Sequence, residues 1–132
     1  MRGMLRTTAY AFLAANLLHT ADHFRQGTGD LTWQILVAGS SLTIFAVIVL
    51  ILVLRDHPRA PLLAAVVGVT GAIGIVAAHI APHWSALSDS YVEGDQDALS
   101  WLVVLIEIST AAALGIAGLR SLRSSSPTPR QA

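Results

Sequence analysis

The sequence contains no cysteine and few charged residues. Without cysteine the chain has no disulfide, iron–sulfur cluster or thiolate zinc site, so any metal must be bound by nitrogen and oxygen ligands. Only 12% of the residues are charged, and acidic and basic residues balance at 8 each. A soluble protein has about a quarter of its residues charged. Neither number fits a basic nucleic-acid-binding surface, and we predict no nucleic-acid partner.

Long apolar runs dominate the remaining sequence, in which 54% of residues are hydrophobic. Four runs are each close to the ~20 residues that a helix needs to cross a bilayer. They occupy approximately residues 8–24, 36–54, 62–81 and 99–119. Because the connections are short, consecutive helices should be antiparallel neighbours. The sequence thus predicts an all-α fold, an integral membrane four-helix up-down-up-down bundle.

The segments before and after the bundle allow further predictions. Residues 1–18 have a basic start and an apolar run, as a cleaved signal peptide does, but no convincing small-x-small cleavage site follows them. We therefore favour a first transmembrane helix. Residues 121–132 have no apolar periodicity and contain two prolines, so a disordered tail is predicted there.

Arginine and tryptophan positions predict the orientation. Every arginine except Arg25 lies before the first run, between the second and third, or after the fourth, and basic residues are retained on the cytoplasmic side. Tryptophan rings settle at the membrane interface, and here they mark the opposite ends of the runs, at Trp33, Trp84 and Trp101. Both termini and the tail are predicted to be cytoplasmic at the plasma membrane, with the loops around residues 25–30 and 82–97 outside.

Two histidine pairs close the first and third apolar runs. His19 and His23 are four residues apart, with Asp22 beside them, so a helix presents all three on one face. His79 and His83 repeat this spacing, although a proline between them ends or kinks the helix. Both pairs lie at the predicted extracytoplasmic ends of their helices.

The fourth run contains one acidic residue, Glu107. Counting from the interfacial aromatic residues at 1.5 Å per residue puts Glu107, His19 and His79 roughly 7 to 9 Å below the outer surface. Ionisable groups at such depth are costly and usually mark a functional site. The alternative is that the histidines are ordinary interfacial residues hydrogen-bonded to water.

The donor set is the one expected of a zinc, iron, copper or manganese centre. Neutral imidazoles would be the main ligands, and carboxylates would serve as further ligands, as bases or as partners that fix the imidazole tautomer. The predicted metal ligands are His19, His23, His79 and His83, and the predicted base or further ligand is Glu107 or Asp22. These six candidate ligands are more than one tetrahedral site uses. Either the site is dinuclear, or some of the six residues support the ligands without binding the metal. The alternative for Asp22 is a pair with Arg25, three residues along. His57 lies at the predicted cytoplasmic end of the bundle, away from the other candidates.

Three functions remain open from the sequence. The first is a metal-dependent membrane enzyme acting on a lipid or quinone-like small molecule from the outer leaflet. The second is a haem b-binding electron-transfer or accessory subunit, with His19 and His79 as axial ligands. The third is a metal- or proton-linked carrier or pH sensor, in which histidine protonation sets binding. The expected partners are the lipid bilayer and either a second copy of the chain or a larger membrane complex.

Overall fold

The computed structural model describes residues 2–29 and 31–124, and this part of the chain is all-helical, without strands. Four helices are present, as predicted, and α3 continues into a π-helical turn, Val76–Ile80. The helices are α1 Arg2–Gln26, α2 Trp33–Leu54, α3 Ala60–Ile75 and α4 Ala98–Ser124. The predicted tail begins at residue 121, but α4 runs to Ser124, and the remainder of that tail, residues 125–132, lies outside the described residues.

Three of the helices are long and apolar enough to cross a membrane: α2, α3 together with its π-helical turn, and α4. Their outer faces expose large apolar side chains, such as Ile44 at 60% and Leu102 at 55% exposure, which suit a lipid environment. The fourth predicted span, α1, has 25 residues but is not among the apolar helices, because polar and charged side chains interrupt it.

The closest helix pair is α3 with α4. A Cβ atom added to Gly68 would lie 2.7 Å from the carbonyl oxygen of Ala111, and one added to Gly118 would lie 2.6 Å from that of Pro61. Such distances mean that the two backbones are in contact, as small residues allow in membrane proteins. This seam fixes α4 against α3 and so sets the position of Glu107.

Helix α2 packs tightly only in its second half. Its buried residues are Ala46, Val49 and Val53, and none of the residues 33–45 is buried. Beyond the C-terminal end of α2, Asp56 accepts a hydrogen bond of 3.0 Å from Arg6 of α1. The first half of α2 therefore packs loosely against the other helices, and a cleft lies beside it.

The end of α1 is tied to the start of α4. Helix α1 ends because Gly27 adopts a φ of +99°, and its N–H donates to the carbonyl of His23 at 3.0 Å. Asp97 caps α4 by accepting the Ser100 N–H at 2.9 Å, and it also pairs with Arg25 at 2.9 Å. These bonds lower the pKa of Asp97 to about 2. The link fixes the register between the histidines of α1 and Glu107 of α4.

Candidate metal centre

The segment that follows α3 takes its shape from Pro82. Proline has no N–H, so the carbonyl of Ala78 lacks its helical donor. The N–H of Asp89 donates to this carbonyl at 2.9 Å instead, and the N–H of Tyr91 donates to the carbonyl of His79 at 2.8 Å. The loop therefore folds back over the helix end and brings Asp89 and Tyr91 to the histidines. The preceding π-helical turn, a feature frequent at functional sites, contains His79.

Three histidines meet where α1 faces this turn. Each of His19, His23 and His79 offers a ligand atom, and these atoms all lie within 4.8 Å of one another. The ring centroids are 4.6 Å apart for His19 and His23, and 4.8 Å apart for His19 and His79. Metal–nitrogen bonds of ~2.05 Å in a tetrahedral site place ligand nitrogens roughly 3.4 Å apart. Small ring rotations would thus bring the three nitrogens onto one ion.

An oxygen faces the Nδ1 side of each imidazole. Nδ1 of His19 is paired with Oε2 of Glu107, and Nδ1 of His79 lies 3.0 Å from the carbonyl oxygen of Asp89. Nδ1 of His23 lies 3.8 Å from a carboxylate oxygen of Asp89. The partners of His19 and His79 place the proton on Nδ1 and leave Nε2 for a metal, whereas the His23 contact is too long for a hydrogen bond. This is the arrangement found behind metal-binding histidines.

The loop adds charge and a hydroxyl group to the histidines. Burial acts to raise the pKa of the Asp89 carboxyl, but hydrogen bonding and electrostatic attraction to the neighbouring His79 outweigh burial, and the pKa is lowered. Asp89 is therefore ionised at neutral pH. Burial raises the pKa of Tyr91, so its hydroxyl keeps its proton, and this hydroxyl lies 3.3 Å from Nε2 of His19. The negative charge of the nearby Asp89 carboxylate would stabilise a cation bound to the histidines.

Glu107 is only 1% exposed and is satisfied by a chain of hydrogen bonds. The side-chain amide of Asn16 donates to Oε1 at 2.7 Å, and the hydroxyl of Thr43 donates to the amide oxygen of Asn16 at 2.7 Å. The other carboxylate oxygen is paired with His19. Buried polar groups need such partners, and the chain fixes the orientation of the His19 ring.

The other sequence-predicted residues lie elsewhere. His83 is exposed, and its backbone N–H donates to Glu93 at 2.8 Å, so the structure does not bring it to the three-histidine group. Asp22 is buried, but its carboxylate accepts bonds from Arg25 at 2.7 Å and Gln26 at 2.6 Å, and within the described residues it bonds to no imidazole. Asp22 thus takes the alternative partner considered from the sequence, Arg25.

The sequence analysis missed three residues of this site: Asn16, Asp89 and Tyr91. Asn16 precedes His19 by three residues, so helical spacing alone would have placed it on the same face. No comparable signal exists for Asp89 and Tyr91, because the fold of the loop depends on which helix carbonyls remain without donors.

A cavity of about 520 Å³ lies between α1, α2 and α3, with the three histidines and Glu107 at one end. Most of its other lining residues are apolar, and they include Phe24, Ile35, Leu42, Gly71, Gly74 and Ile75. His23 also borders a second cavity of about 340 Å³, which is lined by acidic residues of the loop: Asp89, Asp95 and Asp97. His23 therefore lies between a mostly apolar cleft and an acidic cavity.

The Glu107→Gln variant is expected to bind metal about 10- to 100-fold more weakly, the usual effect of losing such a supporting carboxylate. The glutamine amide would present a donor either to the Nδ1 proton of His19 or to the amide of Asn16. In the first case the proton moves to Nε2 and occupies the metal-binding lone pair. A competition titration with a coloured chelator measures the change, and Glu93→Gln, which alters an exposed carboxylate, is the control. Equal affinities for Glu107→Gln and the wild type would contradict this role.

Fold and site together define a class: an all-helical protein with three helices able to span a membrane and a histidine group able to hold a metal ion. Comparison with protein-family models, curated proteins and solved structures found no match to this chain. The functional argument therefore rests on the site itself.

Proposed function

We propose that this chain is an integral membrane protein that binds one zinc, iron, copper or manganese ion through His19, His23 and His79. The observation that carries the proposal is the convergence of three imidazole ligand atoms within 4.8 Å. Two of these rings, His19 and His79, are only 6% exposed, and the buried carboxylate of Glu107 stands behind one of them. Burying ionisable groups beside apolar helices is energetically costly, so groups buried in this way usually mark a functional site.

The ligand count favours catalysis over a purely structural ion. Three protein ligands that leave one position for water or substrate are typical of catalytic zinc sites, whereas structural sites use four. The sequence predicts Glu107 or Asp22 as the base or a further ligand. Their carboxylate oxygens already accept hydrogen bonds from Asn16 and from Gln26, which favours positioning roles. We propose a metal-dependent enzyme acting on a lipid-like molecule, in which a metal held by His19, His23 and His79 would supply Lewis-acid chemistry.

We also propose that α1 is a fourth span, in an up-down-up-down bundle with both termini in the cytoplasm. Contacts between distant residues support antiparallel neighbours: Arg6 near the start of α1 bonds to Asp56 after α2, and Arg25 at the end of α1 bonds to Asp97 before α4. Among the arginines of the described residues, Arg25 alone lies at the histidine end of the helices, and the charge rule supports a site on the extracytoplasmic side of the plasma membrane.

Haem b and transport receive less support from the site. A haem needs an open slot between its two axial histidines, whereas the His19 and His79 ring centroids are 4.8 Å apart and the His23 ring is stacked on His19. A carrier needs a polar path through the bundle. Beyond Glu107, the backbones of α3 and α4 are in contact at Gly68 and Gly118. A single coordinated ion is therefore the better fit to this donor set.

Elemental mass spectrometry and an absorption spectrum of detergent-purified protein that has never met a nickel column test the proposal. We expect one zinc, iron, copper or manganese ion per chain, without a Soret band. Protein stripped with a chelator should also take up one Co²⁺ and develop visible absorption bands. A Soret band with iron would replace the proposal by haem, and absence of both native metal and Co²⁺ uptake would refute it.

A further inference from the structure

The apolar cleft opens sideways, towards the surface that faces lipid. Its walls are the first half of α2, where no residue is buried, and the last turns of α3. Gly39 of α2 and Gly74 of α3 both line the cleft, and a Cβ atom added to either would meet no heavy atom within 4 Å. The opening therefore leads between α2 and α3, away from the acidic cavity on the other side of His23.

Polar groups are concentrated where the cleft meets the histidines. Asn16, His19, His23, His79 and Glu107 line that end. The rest of the lining is mostly apolar, as at Ile35, Leu42 and Gly74, with uncharged serine and threonine hydroxyls between the apolar side chains. A molecule that satisfies both regions has a polar end and an apolar chain. Pockets of 300 to 1,000 Å³ are the usual size for small-molecule ligands, and a volume of about 520 Å³ falls in that range.

The residues that line the cleft also limit which polar group the bound molecule can carry. Within the described part of the chain, no arginine or lysine lines the cleft, so nothing is placed to pair with a phosphate headgroup. The positive charge available there is the metal proposed above. A small anionic oxygen group, such as a carboxylate, is the end that a three-histidine metal site with an open position would coordinate.

We propose that the cleft binds a single-chain amphiphile with a small anionic oxygen head, which enters from the bilayer between α2 and α3. The head binds the metal beside His23 and His79, and the chain lies along Gly39 and Gly74. This inference rests on the proposed metal site for the head and on the cleft for the chain. It narrows the substrate class to fatty-acid-like molecules.

The test uses the full-length protein loaded with Co²⁺ in a detergent without alkyl chains. Dodecanohydroxamic acid, which has a metal-binding oxygen head and a long chain, is titrated while the Co²⁺ absorption bands are followed, and acetohydroxamic acid serves as the short-chain probe. Gly74→Leu and Gly39→Leu fill the cleft from opposite walls. Gly3→Leu is the matched control, because Gly3 also has open space around it but does not line the cleft.

We expect the long-chain probe to bind at least tenfold more weakly to Gly74→Leu and Gly39→Leu than to Gly3→Leu, while the short-chain probe binds all three equally. Partition of the probe into micelles is the same for every variant, so a difference reports the cleft. A full complement of Co²⁺ and unchanged helical circular dichroism show that each variant is folded. Equal long-chain binding by all three Co²⁺-loaded variants would overturn the cleft proposal and leave the metal site standing. Failure of the wild type to take up Co²⁺ would overturn both.

Discussion

The His79→Ala variant is expected to retain almost no metal. His79 is the ligand that the end of α3 contributes, whereas the other two, His19 and His23, lie on one face of α1. Without His79, two imidazoles would remain, with a metal exposed to water on the side where the third ligand was. His19→Ala should have the same effect, and it should in addition leave the buried carboxylate of Glu107 without its imidazole partner. Metal content per chain, measured by elemental mass spectrometry, decides the outcome.

Two histidines provide matched controls. His83 is four residues after His79 but exposed, and its backbone N–H donates to Glu93. Among the residues that the structure describes, no hydrogen bond involves its imidazole. His57 accepts a hydrogen bond from the N–H of Arg59, in the connection between α2 and α3. His83→Ala and His57→Ala should both keep the metal content of the wild type. If the four alanine variants contained equal amounts of metal, the assignment of the ligands would be wrong.

The helices could be predicted from the sequence because their signal is local. Apolar runs of about the right length stand between short polar connections, and each run lies within a helix of the structure or, for the third, within α3 and its π-helical turn, apart from Ala81 at its end. The same local reasoning placed His19 and His23 on one face of α1, and their rings are stacked. Depth counting put Glu107 level with His19, and the two side chains are paired.

The role of His83 could not be predicted, because it depends on contacts that are distant in sequence. The i, i+4 spacing holds only within a regular helix, and Pro82 ends the helix. The loop then supplies the missing donors through Asp89 and Tyr91, and these residues take places beside His79 that helical spacing had given to His83. A sequence pattern cannot reveal which loop residues will lie beside His79, because many loop conformations can satisfy the same carbonyls.

The Gly68→Ala variant is expected to destabilise the protein by about 2 kcal/mol or more, at the upper part of the range for overpacked sites. Its new methyl group would lie 2.7 Å from the carbonyl oxygen of Ala111 and closer still to the backbone nitrogen of Gly115. Backbone atoms cannot turn aside as a side chain can, so α3 and α4 must separate. SDS-induced unfolding in mixed micelles, followed by circular dichroism, measures the loss.

Gly74→Ala is the matched control for this prediction, because it lies in the same helix and a Cβ atom there meets nothing within 4 Å. Alanine has a higher helix propensity than glycine, by up to about 1 kcal/mol, so this variant should be as stable as the wild type or more stable. Equal stability of Gly68→Ala and Gly74→Ala would show that the α3–α4 seam is not in tight contact.

Separation of the seam should also move Glu107 relative to His19, since α4 carries the carboxylate and α1 the imidazole. Gly68→Ala should therefore weaken metal binding without altering any ligand, whereas a seam unconnected to the site would leave the affinity unchanged.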